Sequence, residues 1–235
     1  MKKAVLLINL GSPDKPTIPS VWKYLRQFLM DARVIDVPWI LRFILVNFII
    51  IPFRVKNSTK EYKKMWKMHG KSPLIKNTDS LTKKLKLKYS DKYDFYFAMR
   101  YQNPSIDDAL EKIYAKNYDE LIILPLYPQY AAATTATVCD EVYRVLMKMR
   151  WQPSLQIVPH YESQPLYIEA LVNSLKLKIS KLSWKPDLIL ASYHGIPKKY
   201  FDKGDPYHCY CHKTSRLIKE AFNKDIPIMT TFQSR

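Results

Sequence analysis

The chain has 235 residues, of which 47% are apolar and 25% are charged. This composition can form a sizeable core in one or two domains, and it argues against a disordered chain. Thirty-eight basic residues against twenty-one acidic residues give a net charge of +17. Such a charge indicates an anionic partner, and nucleic acid, anionic lipid and a carboxylated small molecule all fit it.

The N-terminus and the cysteines bear on the cellular compartment. The first residues, MKKAVLLINLGSPD, contain a short apolar run without a small-residue cleavage site, so we expect no signal peptide. Only three cysteines occur, Cys139, Cys209 and Cys211, which predicts a reducing, cytoplasmic setting rather than a disulfide scaffold. A four-cysteine iron–sulfur cluster cannot be built from three thiols within one chain, so no such cofactor is expected.

Short apolar runs with the length of strands alternate with helical patterns along the chain. The runs are Val5–Leu10, Phe95–Met99, Leu121–Leu124, Leu155–Val158, Leu188–Ala191 and Ile226–Met229. We read them as strands buried on both faces. Strands of this kind that alternate with helices predict an α/β fold with mostly parallel sheets flanked by helices.

A long apolar stretch follows the first strand. It runs over Val37–Phe53 and is interrupted by Arg42 and Asn47. The stretch is shorter than the about 20 residues that a spanning helix needs. We therefore expect it to lie on a membrane or to line a cavity, and an ordinary core helix is the alternative.

Three later stretches have helical periodicity. For the first we expect Asn103 as the cap and Pro104 at the first helical position. The apolar faces are Ile106, Leu110 and Ile113 in the first helix, Val138, Val142, Val145 and Met149 in the second, and Leu171, Leu175 and Ile179 in the third, after Pro165.

The residues at the strand exits are candidates for a ligand site, because open α/β sheets bind ligands at the carboxyl ends of their strands. Gly11 and Gly195 stand at two exits, where a chain reversal or close ligand approach can require a missing Cβ. His194 directly follows a predicted strand, and a neutral imidazole there either serves a structural role or accepts a proton and ligates a metal. The absence of a GxGxxG or Walker pattern disfavours a nucleotide cofactor.

A second cluster reads H-C-x-C-H, from His208 to His212. Its spacing is tighter than the C-x₂-C pattern of zinc sites, and no second pair follows it. We therefore expect a structural or incidental role for this cluster.

Four ordered motifs resemble the ferrochelatase family, in its proteobacterial, protoporphyrin-using type. They are LLINLGSPD near the N-terminus, LPLYPQYA at 124–131, SYHGIPKKYFDKGDPYHC at 192–209 and TFQSR at 231–235. The resemblance implies two Rossmann-like domains, 1–162 with an apolar lip at 37–53 and an incomplete second domain at 163–235. It also implies insertion of ferrous iron into protoporphyrin IX, the last step of haem synthesis, with Fe²⁺ as a substrate and no resident cofactor.

The resemblance assigns roles to individual residues. It makes His194 the metal ligand and the acceptor of pyrrole protons, and it places Arg100 and Tyr101 along the porphyrin cleft. The other implied substrate contacts are Leu10, Arg54, Tyr62, Ser72 and Tyr127. Leu10 stands where coproporphyrin-using relatives carry a tyrosine, which favours protoporphyrin as the substrate.

The sequence also departs from the family pattern. Family members continue past TFQSR to a glutamate that pairs with the histidine, and this glutamate is absent here, so we expect little or no activity from the 235-residue chain. The apolar lip, together with the nearby cations Arg42 and Arg54, suits a dicarboxylate that partitions into membranes. We also expect peripheral contact with the inner membrane.

Other functions remain open at this point. One is a cobalt chelatase that acts on another tetrapyrrole, and another is a non-catalytic porphyrin- or haem-binding protein. Nucleic acid is not an expected partner, because no reader motif is present and the basic residues are spread along the chain.

Overall fold

The structure is a computed structural model that describes residues 3–222 and 226–233. The described chain forms two compact units: unit 1 comprises 3–126 and 132–159, and unit 2 comprises 127–131, 160–222 and 226–233. The division into domains at 162 and 163 stays a prediction about independently folding parts. Ser234 and Arg235, the end of the TFQSR motif, lie outside the described residues.

Unit 1 is an α/β unit. Its strands are β1 (Lys3–Gly11), β2 (Tyr93–Tyr101), β3 (Glu120–Pro125) and β4 (Ser154–Ile157). Its helices are α1 (Ile18–Leu29), α2 (Trp39–Ile44), α3 (Ile51–His69), α4 (Pro73–Tyr89), α5 (Ile106–Tyr114) and α6 (Thr137–Leu146). A π-helical segment, Leu45–Ile50, joins α2 to α3, and another, Ala132–Ala136, precedes α6.

The sheet of unit 1 is parallel, with the strand order β2-β1-β3-β4. The central strand β1 is buried on both faces, since consecutive residues Leu6, Leu7 and Ile8 all have 0% exposure and point alternately to opposite faces. Leu85 of α4 packs on the face that carries Leu7. The predicted α/β fold with parallel sheets flanked by helices is therefore confirmed.

Gly11 ends β1 in a conformation that favours glycine, with φ +105°. A Cβ added there would lie 1.9 Å from the backbone oxygen of Tyr101 on the neighbouring strand. Contacts this short do not occur, so only glycine lets the two strand ends approach each other. The expectation that Gly11 needs a missing Cβ is confirmed.

The helix α5 begins later than the sequence pattern predicts. Its cap is Ser105, whose Oγ accepts a hydrogen bond from the Asp108 backbone N at 3.1 Å. The prediction of Asn103 as the cap is wrong, because its side chain instead donates to Asp14 Oδ2 at 2.9 Å. The expected apolar face is buried at Ile106, and so are the other two residues of that face, Leu110 and Ile113.

The helix α6 ends at Leu146, so Met149 lies beyond it and cannot belong to its apolar face. The three valines predicted for that face, Val138, Val142 and Val145, are buried. Periodicity alone therefore places the face of this helix correctly and extends it too far.

Unit 2 has a parallel sheet of β5 (Ile189–His194) and β6 (Ile228–Gln233) among its described residues. Its helices are α7 (Pro165–Ile179), α8 (Lys198–Asp202) and α9 (Tyr207–Phe222). The core of the unit joins α7, α9 and the residue Ile226 that precedes β6, through Ile168, Val172, Phe222 and Ile226. Ile168 and Val172, rather than the predicted Leu171, are the buried residues of α7, with Leu175 and Ile179 partly buried against them.

The strand β5 differs from the sequence expectation in two ways. Its residues alternate between half-buried and exposed, and Leu190 is 57% exposed, so the prediction of burial on both faces is wrong for this strand. His194 is the last residue of β5 rather than the residue after it. The apolar composition of the run is therefore not matched by burial of both faces.

Candidate functional site

The apolar lip, residues 37–53, forms part of a nearly continuous helical run from Trp39 to His69. Its large side chains point outward: Phe48 is 66% exposed and Phe53 is 77% exposed. The other exposed members are Trp39, Ile40, Leu41, Ile44 and Ile49. An ordinary core helix is therefore excluded for this stretch, because soluble proteins rarely expose so many neighbouring apolar side chains without a partner.

The described residues contain no helix that is both long and apolar enough to cross a membrane. Within the helical run of the lip, the segment Leu45–Ile50 is π-helical rather than α-helical. π-helical turns are rare in proteins, and they occur frequently at functional sites.

The two arginines of the lip region have different surroundings. Arg42 is only 8% exposed, and its Nη1 donates to the backbone oxygens of Ile35 and Val37 at 3.0 and 3.1 Å. Arg42 thus fixes the backbone at the start of the lip and is not accessible to a ligand. The expectation that it is available to bind a carboxylate is therefore wrong. Arg54 on α3 is exposed and directly follows Phe53.

Arg100 and Tyr101 end β2 and share a buried carboxylate. Asp31 Oδ2, after α1, accepts a hydrogen bond from Arg100 Nη2 at 2.7 Å and from the Tyr101 hydroxyl at 2.9 Å, and it also accepts from the Thr137 hydroxyl. Burial, reinforced by the Asp31 charge, raises the pKa of the Tyr101 phenol far above its ordinary value. Charge-assisted bonds of this kind hold the network rigid.

Arg100 is further fixed on α6. Its Nε donates to the Thr137 backbone oxygen at 2.9 Å and to the Thr137 hydroxyl at 2.7 Å. Its Nη1 lies 4.0 Å from Glu141 Oε2, which is beyond hydrogen-bond distance. The guanidinium is therefore held in place and keeps one nitrogen that can donate to a ligand.

A cavity of about 660 Å³ in unit 1 exposes this arginine. Lys23 and Arg26 of α1 add two cations to its lining, and Trp39 and Phe43 of the lip form an apolar wall. The two rings stack with centroids 5.3 Å apart. A cavity lined by both cations and aromatic rings suits a ligand that combines carboxylates with a flat apolar body.

The other predicted substrate residues of unit 1 lie around a neighbouring apolar cluster. Leu10 and Tyr62 pack at its edge, and the fully buried Tyr101 is one of its members. Burial raises the pKa of the Tyr62 phenol above its ordinary value. Ser72 is buried at the residue before α4. Arg100 therefore lines the cavity, whereas Leu10, Tyr62 and Tyr101 belong to the cluster.

In unit 2, the His194 side chain is exposed at the carboxyl end of β5. The backbone beside it is fixed in the sheet, since His194 pairs in register with Gln233 and the Gly195 N donates to the Gln233 oxygen at 2.7 Å. Tyr127, half-buried, lies in the short segment 127–131 that belongs to this unit. An exposed imidazole on a fixed strand end can bind a metal ion or take a proton.

A buried carboxylate in unit 2 was not predicted from the sequence. Glu162 is fully buried and accepts from Lys213 Nζ at 2.9 Å and from His160 Nδ1 at 2.7 Å. Burial opposes its ionisation, but the hydrogen bonds from Lys213 and His160 outweigh burial and lower the pKa of Glu162 below its ordinary value. His160 is two residues from Glu162, but Lys213 is 51 residues away, so no local pattern in the sequence indicates that Glu162 is paired with Lys213.

The H-C-x-C-H cluster lies on α9. Cys209 is exposed and Cys211 is buried, and burial raises the pKa of the Cys211 thiol to about 11. A protonated, buried thiol is a poor metal ligand. Over the described ranges, no group of three or more His, Cys, Asp or Glu side chains could hold a metal ion.

Comparison with known proteins identifies the family. The family model described as "Ferrochelatase" matches residues 2–235. Proteins named ferrochelatase from Francisella tularensis subsp. novicida (strain U112) and from subsp. tularensis (strain WY96-3418) are 47% identical to this chain over 238 residues. The match covers 100% of this chain and 71% of each relative. The chain therefore belongs to the ferrochelatase family.

Proposed function

We propose that the chain is a chelatase that inserts Fe²⁺ into protoporphyrin IX to form protohaem. The exposed apolar lip carries this proposal, together with the family match over residues 2–235. A porphyrin is a flat apolar macrocycle with two carboxylates at one edge. The lip offers apolar surface to such a body, and Arg54, next to Phe53 on α3, offers a cation to a carboxylate.

The remaining substrate contacts are proposed for unit 1 from the same chemistry. Leu10 and Tyr62, at the edge of the apolar cluster, supply contacts to the macrocycle, and the buried Tyr101 supports that surface from within. Ser72, buried before α4, is a further proposed contact. Arg100 keeps Nη1 for a carboxylate while Asp31 and Thr137 hold its other nitrogens. Tyr127 is a further proposed contact, from unit 2.

His194 is the proposed metal ligand and proton acceptor. Insertion of a dication into the neutral macrocycle breaks two pyrrole N–H bonds and forms metal–nitrogen bonds, so two protons must leave. A neutral imidazole takes one proton at a time and passes it to water, and it can ligate Fe²⁺ before insertion. The exposed position of His194 at the end of β5 supports both roles.

No resident cofactor is part of the proposal, since Fe²⁺ is a substrate. The lip also supports a proposal of peripheral contact with a membrane surface, because apolar side chains next to cations bind at the interface of an anionic bilayer. This contact would allow a poorly soluble porphyrin to pass between the membrane and the protein. We propose accordingly that the protein is cytoplasmic and binds peripherally to the inner membrane.

The proposal is tested by metal insertion and by porphyrin binding, measured side by side. We expect the wild-type chain to insert Fe²⁺ into protoporphyrin IX at a low but measurable rate, and His194→Ala to lower that rate by about 10²-fold or more without loss of porphyrin binding measured by fluorescence quenching. His69→Ala, which removes an exposed histidine at the end of α3, is the matched control and keeps the wild-type rate. An insertion rate of His194→Ala equal to that of the wild type would overturn the proposal, and porphyrin binding by the wild type without any insertion would instead favour the alternative of a non-catalytic porphyrin-binding protein.

A further inference from the structure

The helix α9 carries two histidines four residues apart, His208 and His212. Residues at this spacing lie on the same face of a helix. The two rings are in contact, with centroids 4.5 Å apart, and both side chains are exposed. Two imidazoles at this spacing on one helix face are the arrangement that helical zinc-binding motifs use for two of their ligands.

Aromatic contacts hold both imidazoles in place. The ring of Phe232 on β6 stacks on His208, with centroids 5.0 Å apart and an interplanar angle of 19°, and it lies 5.6 Å from the His212 ring. The ring of Phe201 meets His208 edge-on at 5.6 Å. Because these contacts restrict the rotamers, little conformational entropy is left to lose when a ligand bridges the pair.

The pair is separate from His194. Phe232 is in register with Tyr193, and their rings lie 5.9 Å apart on one face of the sheet. Consecutive strand residues point to opposite faces, so the His194 side chain points to the other face. A metal ion held by His208 and His212 therefore does not use the imidazole that the proposed insertion step needs.

We propose that His208 and His212 form a bidentate binding site for a divalent first-row transition-metal ion. Imidazole nitrogen suits such ions, whereas Mg²⁺ and Ca²⁺ prefer oxygen ligands. No third His, Cys, Asp or Glu joins the pair in the part of the chain that the structure describes, so water completes the coordination. The site therefore binds weakly and exchanges its metal readily.

A lysine beside the pair does not block the site. Lys198 lines a small cavity of about 290 Å³ together with His208 and Phe232. Its Nζ is directed to the Asp202 carboxylate at 2.9 Å from both oxygens. This ion pair lowers the repulsion that the ammonium would exert on a bound cation.

The test is calorimetric titration of the metal-free chain with Ni²⁺, Co²⁺ or Mg²⁺ in a non-coordinating buffer. We expect one site of this kind per chain, with Ni²⁺ tighter than Co²⁺ and no binding of Mg²⁺. His212→Gln should weaken Ni²⁺ binding by at least about tenfold, since loss of a ligand exceeds the usual effect of losing an outer partner.

Three matched variants distinguish the His208/His212 pair from metal-binding side chains elsewhere in the protein. His69→Gln removes an exposed helical histidine on α3, Cys209→Ser removes the exposed thiol beside the pair, and His194→Ala removes the proposed catalytic ligand. All three should retain the His208/His212 site. Equal Ni²⁺ affinity of His212→Gln and the wild type, or loss of this binding in His194→Ala, would overturn the inference and leave the proposed function untouched.

A measurement on the wild type makes the result independent of how the variants fold. Electron paramagnetic resonance of the chain loaded with one equivalent of Cu²⁺ should show two coordinated imidazole nitrogens. A spectrum with one nitrogen, or with thiolate coordination, would contradict the inference.

Discussion

The two units place similar apolar strand sequences in different surroundings. In unit 1, Leu6, Leu7 and Ile8 of β1 have 0% exposure, because the sheet is covered on both faces. In unit 2, Leu190 of β5 is 57% exposed and Met229 of β6 is 53% exposed. A run of apolar residues therefore identifies a strand but does not say how many of its faces are buried.

The comparison predicts where the free energy of folding resides. Burial of apolar area contributes about 25 cal/mol per Å², so the sheet of unit 1 gains stability from both faces of its central strand. Unit 2 gains it from the cluster between α7 and α9 that includes Val172 and Phe222. Substitutions in the two sheets should therefore differ sharply in their effect.

The largest expected loss of stability is for a substitution at Gly11. Gly11→Ala brings a Cβ to 1.9 Å from the Tyr101 backbone oxygen, so we expect a loss of about 4 kcal/mol or more in the free energy of unfolding. The control in unit 2 is Gly204→Ala, which has positive φ but no atom within 4 Å of the new Cβ, and it should cost only about 1 kcal/mol. Urea denaturation measures both, and equal losses would contradict the role of close approach at Gly11.

The next largest loss of stability is expected for a buried leucine of β1, and an exposed leucine of β5 serves as its comparison. Leu6→Ala in β1 should cost about 3 kcal/mol, because it opens a cavity in a close-packed core. Leu190→Ala in β5 should cost less than about 1 kcal/mol, since more than half of that side chain is already exposed. A cost at Leu190 as large as that at Leu6 would mean that another surface covers β5 in solution.

A substitution at Glu162 tests how much a buried carboxylate contributes to the stability of unit 2. Its pKa is lowered in the folded state, so ionised Glu162 stabilises the fold fully above its ordinary pKa, and this contribution disappears as the pH falls through the lowered folded value. Glu162→Gln should cost about 2 kcal/mol at neutral pH. The difference from the wild type, measured by urea denaturation between pH 7 and pH 3, should shrink on acidification, and a constant difference would refute the linkage.

The smallest effect on stability is expected at the lip. Phe48→Ser removes a side chain that is 66% exposed, so the free energy of unfolding should change by less than about 0.5 kcal/mol. The same variant should bind less to vesicles with anionic lipids in a sedimentation assay, because apolar area drives interfacial binding. Leu87→Ser on α4, which is 86% exposed and outside the lip, is the control and should leave vesicle binding unchanged.

The sequence predicts the strands well because each is a short apolar run between polar turns, and Gly11 and the α5 face follow from equally local patterns. It misses partners that are distant along the chain. Asp31 meets Arg100 across 69 residues, and Glu162 meets Lys213 across 51. It also misplaces Arg42, because a charged residue in an apolar run gives no sign that backbone oxygens will surround it.

The central position of β1 has a consequence for how the protein is made. This strand leaves the ribosome before both of its neighbours, because Lys3 pairs with Tyr93 and Ala4 pairs with Leu121. At about 5–20 residues per second, β1 waits roughly 6 to 23 s for both neighbours. Contacts of such high sequence separation slow folding. The nascent apolar strand therefore stays without its strand partners until distant parts of the chain have been made.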